Sequence, residues 1–213
     1  MRIVQITLNQ VKEHKMKVYL IRHGETFANA QKRFAGHWDV ELTERGLAQA
    51  ENVSLKLKDI NFKKATCSDL QRARITAETI MKHHDLALDV NPNFREMNFG
   101  TWEEKTFKEI GEKDPVLLQS WFDDFKNFEV PEGESVQILY GRVIKAYEAL
   151  VEGMDFEGHD NVLIVAHGGV IQCLMSYFVF GDLSGYWTFR IDNCTVNCIE
   201  YAMGMPVVKA VNQ

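Results

Sequence analysis

The chain has 213 residues, 46% of them hydrophobic and 25% charged, with a formal net charge of −6. A chain this long buries a core without covalent staples, and the acidic balance argues against nonspecific binding to nucleic acid or anionic lipid. No run approaches the ~18 apolar residues of a membrane span, and the four cysteines, Cys67, Cys173, Cys194 and Cys198, form no C-x-x-C pair. They read as reduced thiols of a cytoplasmic protein, with no metal site.

Residues 1–15, MRIVQITLNQVKEHK, lack the apolar segment and small-residue cleavage site of a signal peptide. They are treated as an N-terminal extension whose role the sequence leaves open, ahead of one domain over 16–213. Lys17–Arg22 predicts a strand. Thr43–Lys58 predicts an amphipathic helix with Leu47, Ala50, Val53, Leu55 and Leu57 on its apolar face. Lys64–Ser68 predicts a short strand. Ser68 or Asp69 then caps a helix running to about His83, with Leu70, Ala73, Ala77, Ile80 and Met81 inward. Leu86–Val90 alternates as a further strand.

Residues 95–135 break this rhythm and are rich in aromatic and acidic side chains. They predict an inserted subregion of short helices and loops, a candidate lid. PEGES (Pro131–Ser135) is turn chemistry followed by a helix cap, and a helix is expected from about Val136 to Glu152. Asn161–Ala166, NVLIVA, is an unbroken apolar run of the kind buried on both faces. A helix follows to about Phe180, then an alternating strand, Thr195–Tyr201, with Pro206–Val211 as its edge partner. Strands alternating with helices predict a three-layer α/β/α sandwich around a mostly parallel sheet.

Three predicted strands end in polar residues: Arg22-His23-Gly24, Ser68 with Arg72 one turn later, and His167-Gly168-Gly169. Ligands of open α/β sheets bind outside the carboxyl ends of the strands, so two arginines and two histidines are expected to share one crevice. That set suits a phosphoryl group. Guanidinium forks pair with phosphate oxygens, and glycines after each histidine let backbone N–H groups approach an anion. A neutral imidazole is a competent nucleophile.

The joint pattern LIRHGET, SDLQRA and VAHGGV resembles the histidine phosphatase superfamily, the phosphoglycerate mutase-like family, from Met16 to Tyr201. The resemblance implies that His23 is phosphorylated during turnover, that Arg22 and Arg72 grip the phosphoryl oxygens, and that His167 hydrogen-bonds to them. It places Asn29, Gly36 and Gly168 among the phosphate-binding positions, Gly168 through its backbone N–H. It makes Glu96, in REMNFGTWEE, the proton donor. Residue type alone would not single out Glu96 among thirty acidic residues. His37, His83, His84 and His159 lie in polar contexts and are expected at the surface; His14 falls in the extension.

The family contains hydrolases and mutases. REMNFGTWEE is closer to the phosphatase pattern than to the mutases' ERHYG-like stretch. Arginine is absent between Phe99 and Glu134, the chain is short for a mutase, and Ala35 stands where mutases usually carry a hydroxyl. Many phosphatases read WEG where this chain has Trp102-Glu103-Glu104; the glutamate adds charge near the entrance and bears on the turn. The aromatics from Trp102 to Phe128 either pack the insertion onto the core or shape a ring-containing leaving group, or both. The expectation is a metal-independent phosphoric monoester hydrolase acting on a small phosphorylated metabolite, without nucleic-acid or membrane partners. A phosphoglycerate-type mutase and a non-catalytic phosphoryl-binding protein are the alternatives, and a homodimer is left open.

Overall fold

A computed structural model describes residues 15–213 except Glu157 and His159; the extension's first fourteen residues, His14 and His159 therefore lie outside the described residues. In chain order the elements are β1 (Lys17–Arg22), α1 (Phe27–Gln31), α2 (Glu44–Leu57), β2 (Phe62–Cys67), α3 (Gln71–Met81) and β3 (Leu88–Val90). They continue with α4 (Phe107–Lys113), α5 (Pro115–Asp123), α6 (Val136–Val151), β4 (Asn161–Ala166), α7 (Gly168–Phe180), β5 (Val196–Ala202) and β6 (Met205–Ala210). Short 3₁₀ turns occupy Pro92–Phe94, Gly100–Trp102 and Leu183–Thr188.

The six strands form one sheet in the order β3-β2-β4-β1-β5-β6. The first four are mutually parallel, while β5 runs antiparallel to β1 and β6 antiparallel to β5. Period-two alternation gives the sheet a core on each face. Tyr19, Ile21, Leu163 and Val165 point toward Ala50, Val53 and Leu57 of α2 and Ala77 and Ile80 of α3. Val18, Leu20, Val162 and Ile164 point toward α6 and α7, among them Leu139, Val143, Ile171 and Leu174. Each fully buried Leu or Ile contributes roughly 1.5–3 kcal/mol by leaving water. The expected three-layer α/β/α sandwich on a mostly parallel sheet is the observed architecture.

Local differences have physical reasons. Leu47 and Leu55 are 47% and 55% exposed, because only one stripe of α2 meets the sheet. The cap of α3 is Leu70, which makes no side-chain capping bond. Ser68 Oγ accepts from Leu70 N–H, and Asp69 instead forms a two-pronged pair with Arg95 at 2.8 and 2.6 Å. β2 starts at Phe62 and ends at Cys67, and β3 covers only Leu88–Val90. His84 is half-buried, edge-on to Phe62 with ring centroids 5.0 Å apart. The helix α1, which the sequence pattern does not signal, begins in a capping box between Thr26 and Asn29.

Residues 95–135 do form short helices and loops. Trp102, Trp121 and Val130 are buried in the core that faces α6 and α7, and Trp102 stacks on Phe128 at 5.8 Å. Glu104 takes up φ +66, so a glutamate, not a glycine, fills the left-handed position of the turn after Trp102-Glu103.

Candidate active site

Register brings the crevice together. β1 and β4 are neighbours, with Arg22 opposite Ala166, and β2 joins β4 with Cys67 opposite Val165. His23 and His167, which follow, therefore emerge level at the carboxyl edge of the sheet, with Ser68 one position short of them. His23 N–H donates to Ala166 O at 3.0 Å and Ser68 N–H to Val165 O at 3.1 Å. The two imidazole rings lie 5.1 Å apart, tilted by 59°.

Hydrogen bonds fix the two tautomers. His23 Nδ1 lies 2.8 Å from Gly24 O; a carbonyl has no proton to give, so Nδ1 carries the hydrogen and Nε2 keeps its lone pair. Arg72 Nε–H donates to His167 Nδ1 at 3.3 Å, so in neutral His167 the hydrogen is on Nε2. That Nε2 is buried without a partner. Burial first, then Arg72 and Arg22, holds the His23 imidazole well below its ordinary value of 6.5. Burial, Arg72, His23 and Arg22 do the same to His167. Both rings stay neutral at ordinary pH, one presenting a lone pair and the other an N–H.

The arginines divide their work differently. Arg22 donates through one terminal nitrogen to Ile191 O at 2.7 Å, while its Nε is buried and unpartnered, leaving a fork edge for an anion. Arg72, 1% exposed, is wrapped in carbonyls: Trp38 O at 2.9 Å, Ala35 O at 3.1 Å and Gly36 O at 2.7 Å, besides His167. One N–H of its five is left for a ligand. Gly36, expected among the phosphate ligands, donates its own N–H to Glu103 and accepts Arg72 on its carbonyl, so it supports the site through Arg72. The Glu103 carboxylate also accepts N–H bonds from His37, Trp38 and Phe99, forming an anion nest that holds the 35–38 loop. His37, expected at the surface, is half-buried there, and burial lowers its pKa.

The glycines differ in role too. Gly24 N–H donates to Thr76 Oγ1 at 3.1 Å, and a methyl on Gly24 would come 2.4 Å from Gly46 O. Its smallness serves packing against Gly46, not an anion as expected. At Gly168, the first residue of α7, a methyl would sit 3.7 Å from Arg22 Cζ and Nε and 3.8 Å from Glu96 Oε2. It would fill the gap between those two groups. At Gly169 a methyl would come within 2.5 Å of Glu96 Oε1. That closeness lets Glu96 accept Gly169 N–H at 3.0 Å with one oxygen and Met97 N–H at 2.9 Å with the other. Asn29 Oδ1 accepts from Thr26 N–H and from Asn193 Nδ2, and Asn193 also donates to His23 O at 2.8 Å. Asn29 is thereby tied to His23 with its own amide N–H groups turned away from those bonds.

A cavity of about 490 Å³ opens beyond Arg22, Glu96 and Gly168. Its wall is aromatic: Phe34, Phe99, Phe107, Trp121, Tyr186, Trp187 and Phe189. Phe107, at 45% exposure, and Trp187, at 54%, form its rim. The Trp121 indole N–H is buried in this wall without a partner. Among the described residues, no group of three or more His, Cys, Asp or Glu is placed to hold a metal, and no helix is long and apolar enough to cross a membrane.

Sequence reasoning missed Asn193, Glu103, the Ile191 carbonyl and the Tyr186–Phe189 part of the wall. Residues 183–191 carry no regular period, and an asparagine in a loop has no local signal. Glu103 stood in the Trp-Glu pair of the resemblance, with nothing in the sequence to mark its carboxylate as the acceptor that holds the 35–38 loop.

An α/β sheet whose strand ends set two neutral imidazoles and two guanidiniums around one gap is suited to a tetrahedral oxyanion. The model of the Histidine phosphatase superfamily (branch 1) matches residues 18–213, and the chain belongs to that family. It is 31% identical over 198 residues to the adenosylcobalamin/alpha-ribazole phosphatase of Salmonella typhimurium, an alignment covering 92% of this chain and 96% of the relative. It is 30% identical over 186 residues to a protein of Erwinia tasmaniensis named "Probable phosphoglycerate mutase GpmB", covering 87% and 85%. The crystal structure of the alpha-ribazole phosphatase from Shigella flexneri superposes with a TM-score of 0.85 at 31% identity, covering 93% of this chain and 96% of that one. A phosphoserine phosphatase mutant from Entamoeba histolytica in complex with phosphoserine superposes with a TM-score of 0.80 at 27% identity, covering 93% and 97%.

Proposed function

We propose that this protein hydrolyses the phosphoric monoester of a small, ring-bearing metabolite through a phosphohistidine at His23. The observation that carries this reading is the pair of locked tautomers: a lone pair on His23 Nε2 beside the unpartnered Nε2–H of His167. His23 Nε2 attacks phosphorus as the ester P–O bond breaks. His167, Arg22, the free N–H of Arg72 and the Gly168 N–H at the start of α7 hold the charge that builds on the equatorial oxygens. Glu96, beside Arg22 across the Gly168 gap, protonates the departing oxygen and then takes a proton from the water that attacks the phosphohistidine. The arginines and the helix terminus supply the positive charge, so no metal is required.

Hydrolysis is favoured over mutation of the phosphate position by what lines the cavity. Its cations are Arg22 and Arg190, and Arg190 is bound to Asp192 at 3.0 Å on the open surface. A retained bisphosphorylated intermediate would find little to hold its second anion among these rings. The aromatic wall favours a planar leaving group, and the relatives named alpha-ribazole phosphatase make α-ribazole phosphate the first ester to assay. The mutase reading is carried by the relative named for that activity, and it predicts turnover of 3-phosphoglycerate with a catalytic amount of the bisphosphate.

The test is phosphoenzyme trapping. Rapid quenching during turnover should yield an acid-labile, base-stable phosphoprotein. His23→Ala should lose both this label and turnover, by at least about 10³-fold. Label persisting in His23→Ala would defeat the assignment. Isomerisation of 3-phosphoglycerate without net phosphate release would move the protein to the mutase reading.

A further inference from the structure

The acid Glu96 stands on a segment, residues 93–98, with no regular secondary structure beyond one 3₁₀ turn. Its side-chain oxygens rest on two backbone N–H groups, yet its backbone needs an anchor of its own. The anchor is an ion pair between Arg142, within α6, and Glu134, two residues before the helix begins. Arg142 donates through Nε and one terminal nitrogen to Glu134 Oε1 and Oε2, both at 2.8 Å. Its remaining donors go to Asn93 O at 2.9 Å, Arg95 O at 2.7 Å and Glu96 O at 2.8 Å. Glu134 Oε2 also accepts Asn98 N–H at 2.9 Å. All five donors of one guanidinium are used, and residues 93, 95, 96 and 98 are all stapled by main-chain groups to one pair that is 18% and 16% exposed.

We infer that Arg142, paired with Glu134, is a positioning residue that sets the reach of Glu96 to the leaving oxygen. The inference rests on the proposed role of Glu96 as acid. A lysine could not replace the arginine, because a single ammonium has three donors and no planar fork to span three carbonyls and a carboxylate. The neighbouring Arg95–Asp69 pair is different in kind: it grips a side chain and leaves the main chain of 93–98 free.

A group that works through an acid leaves a signature that a merely structural group does not. Esters with good leaving groups, such as 2,4-dinitrophenyl phosphate, depart without a proton, whereas alkyl phosphates require one. Removing Arg142 leaves the Glu134 carboxylate unpaired, which destabilises the fold in its own right. The informative variant is therefore Arg142→Met combined with Glu134→Gln, with Arg142→Lys alongside it. The expected result for both is a loss in kcat/KM, which reads transfer to His23 and not the later attack of water, of roughly 100-fold on alkyl phosphates and under about 5-fold on 2,4-dinitrophenyl phosphate. In a Glu96→Gln background the Arg142 substitutions should add almost nothing, since both act on one proton transfer. Equal losses across the leaving-group series, or additive losses with Glu96→Gln, would overturn the inference while leaving the acid in place. A flat leaving-group series for Glu96→Gln alone would remove Glu96 as the acid and this inference with it.

Discussion

The crevice at the strand ends and the aromatic wall beyond it lie side by side, yet they are built by opposite means. Five of the crevice groups, Arg22, His23, His167, Gly168 and Arg72, lie at or within two residues of a strand or helix end. Sheet register brings four of them within reach of each other, and the 35–38 carbonyls hold Arg72 against them. The wall draws on residues 34, 99, 107, 121 and 186–189, which no single register relates. The difference teaches where chemistry and specificity are each stored. The strand ends are tied to their neighbours by the main-chain ladder and close-packed on both faces, so none moves singly. The wall is a set of side chains on loops and short helices, free to vary without disturbing the sheet. Substitutions among these five groups should therefore hit every ester alike, and substitutions in the wall should sort esters by the shape of the leaving group.

Gly168→Ala is the sharper of the two tests and carries the larger effect. Alanine suits the first turn of a helix better than glycine, and its methyl would meet protein atoms at ordinary contact distances of 3.7 and 3.8 Å. Nothing in the fold opposes it. The methyl does enter the gap between Arg22 and Glu96 where the phosphoryl group is placed, and displacement there by about 1 Å costs on the order of 100-fold. The expected outcome is that loss in kcat/KM on every ester tested, with an unchanged or slightly higher Tm. A fully active Gly168→Ala would put the phosphoryl group elsewhere and dissolve the contrast.

Trp187→Ala tests the wall. Trp187 is 54% exposed, so its loss should cost folding less than that of a core ring. It packs against Trp121 at 5.9 Å and Phe125 at 5.6 Å on the cavity rim. Removing it should raise KM for a ring-bearing ester by about tenfold, the worth of a partly buried ring, while methyl phosphate is hydrolysed as before. A proportional loss on both substrates would show that the wall shapes the crevice rather than the leaving group.

The same contrast explains what could be read from the sequence. The strands Lys17–Arg22 and Asn161–Ala166 were legible to the residue, because apolar runs ending in a charged or glycine-rich stop mark a buried strand and its edge. His23, His167, Arg22 and Arg72 came with them. Glu96 had no such signal and was visible only through family resemblance. Gly24 was misread as an anion ligand because a glycine beside a histidine looks the same whether it faces a ligand or another backbone; Gly46, twenty-two positions on, decides it. Arg142 sits mid-helix and reads as a solvated charge until α6 is packed against residues 93–96. Tyr186, Trp187 and Phe189 sit in a segment whose 3₁₀ geometry leaves no period to detect.

The smallest expected effect concerns the turn that supports the wall. Glu104 holds φ +66, where an L side chain crowds its own backbone. Its N–H donates to Phe34 O at 2.9 Å, and its carbonyl accepts from Arg33 at 2.7 Å. The turn thus positions Phe34 against Phe99 and Phe107, each at 4.7 Å. The work is done by main-chain groups, while the carboxylate points to solvent. Glu104→Gly should keep both bonds and relieve the left-handed strain. Glycine's greater freedom in the unfolded chain offsets part of the gain, leaving roughly 0.5–1 kcal/mol of net stabilisation. For a chain of this size that is a rise in Tm of about 1–4 °C, read by thermal denaturation. KM for ring-bearing esters should stay where it is, because Phe34 does not move. A fall in Tm would show that the Glu104 side chain stabilises the turn beyond its backbone. A change in KM at constant Tm would show that its charge takes part in choosing the substrate.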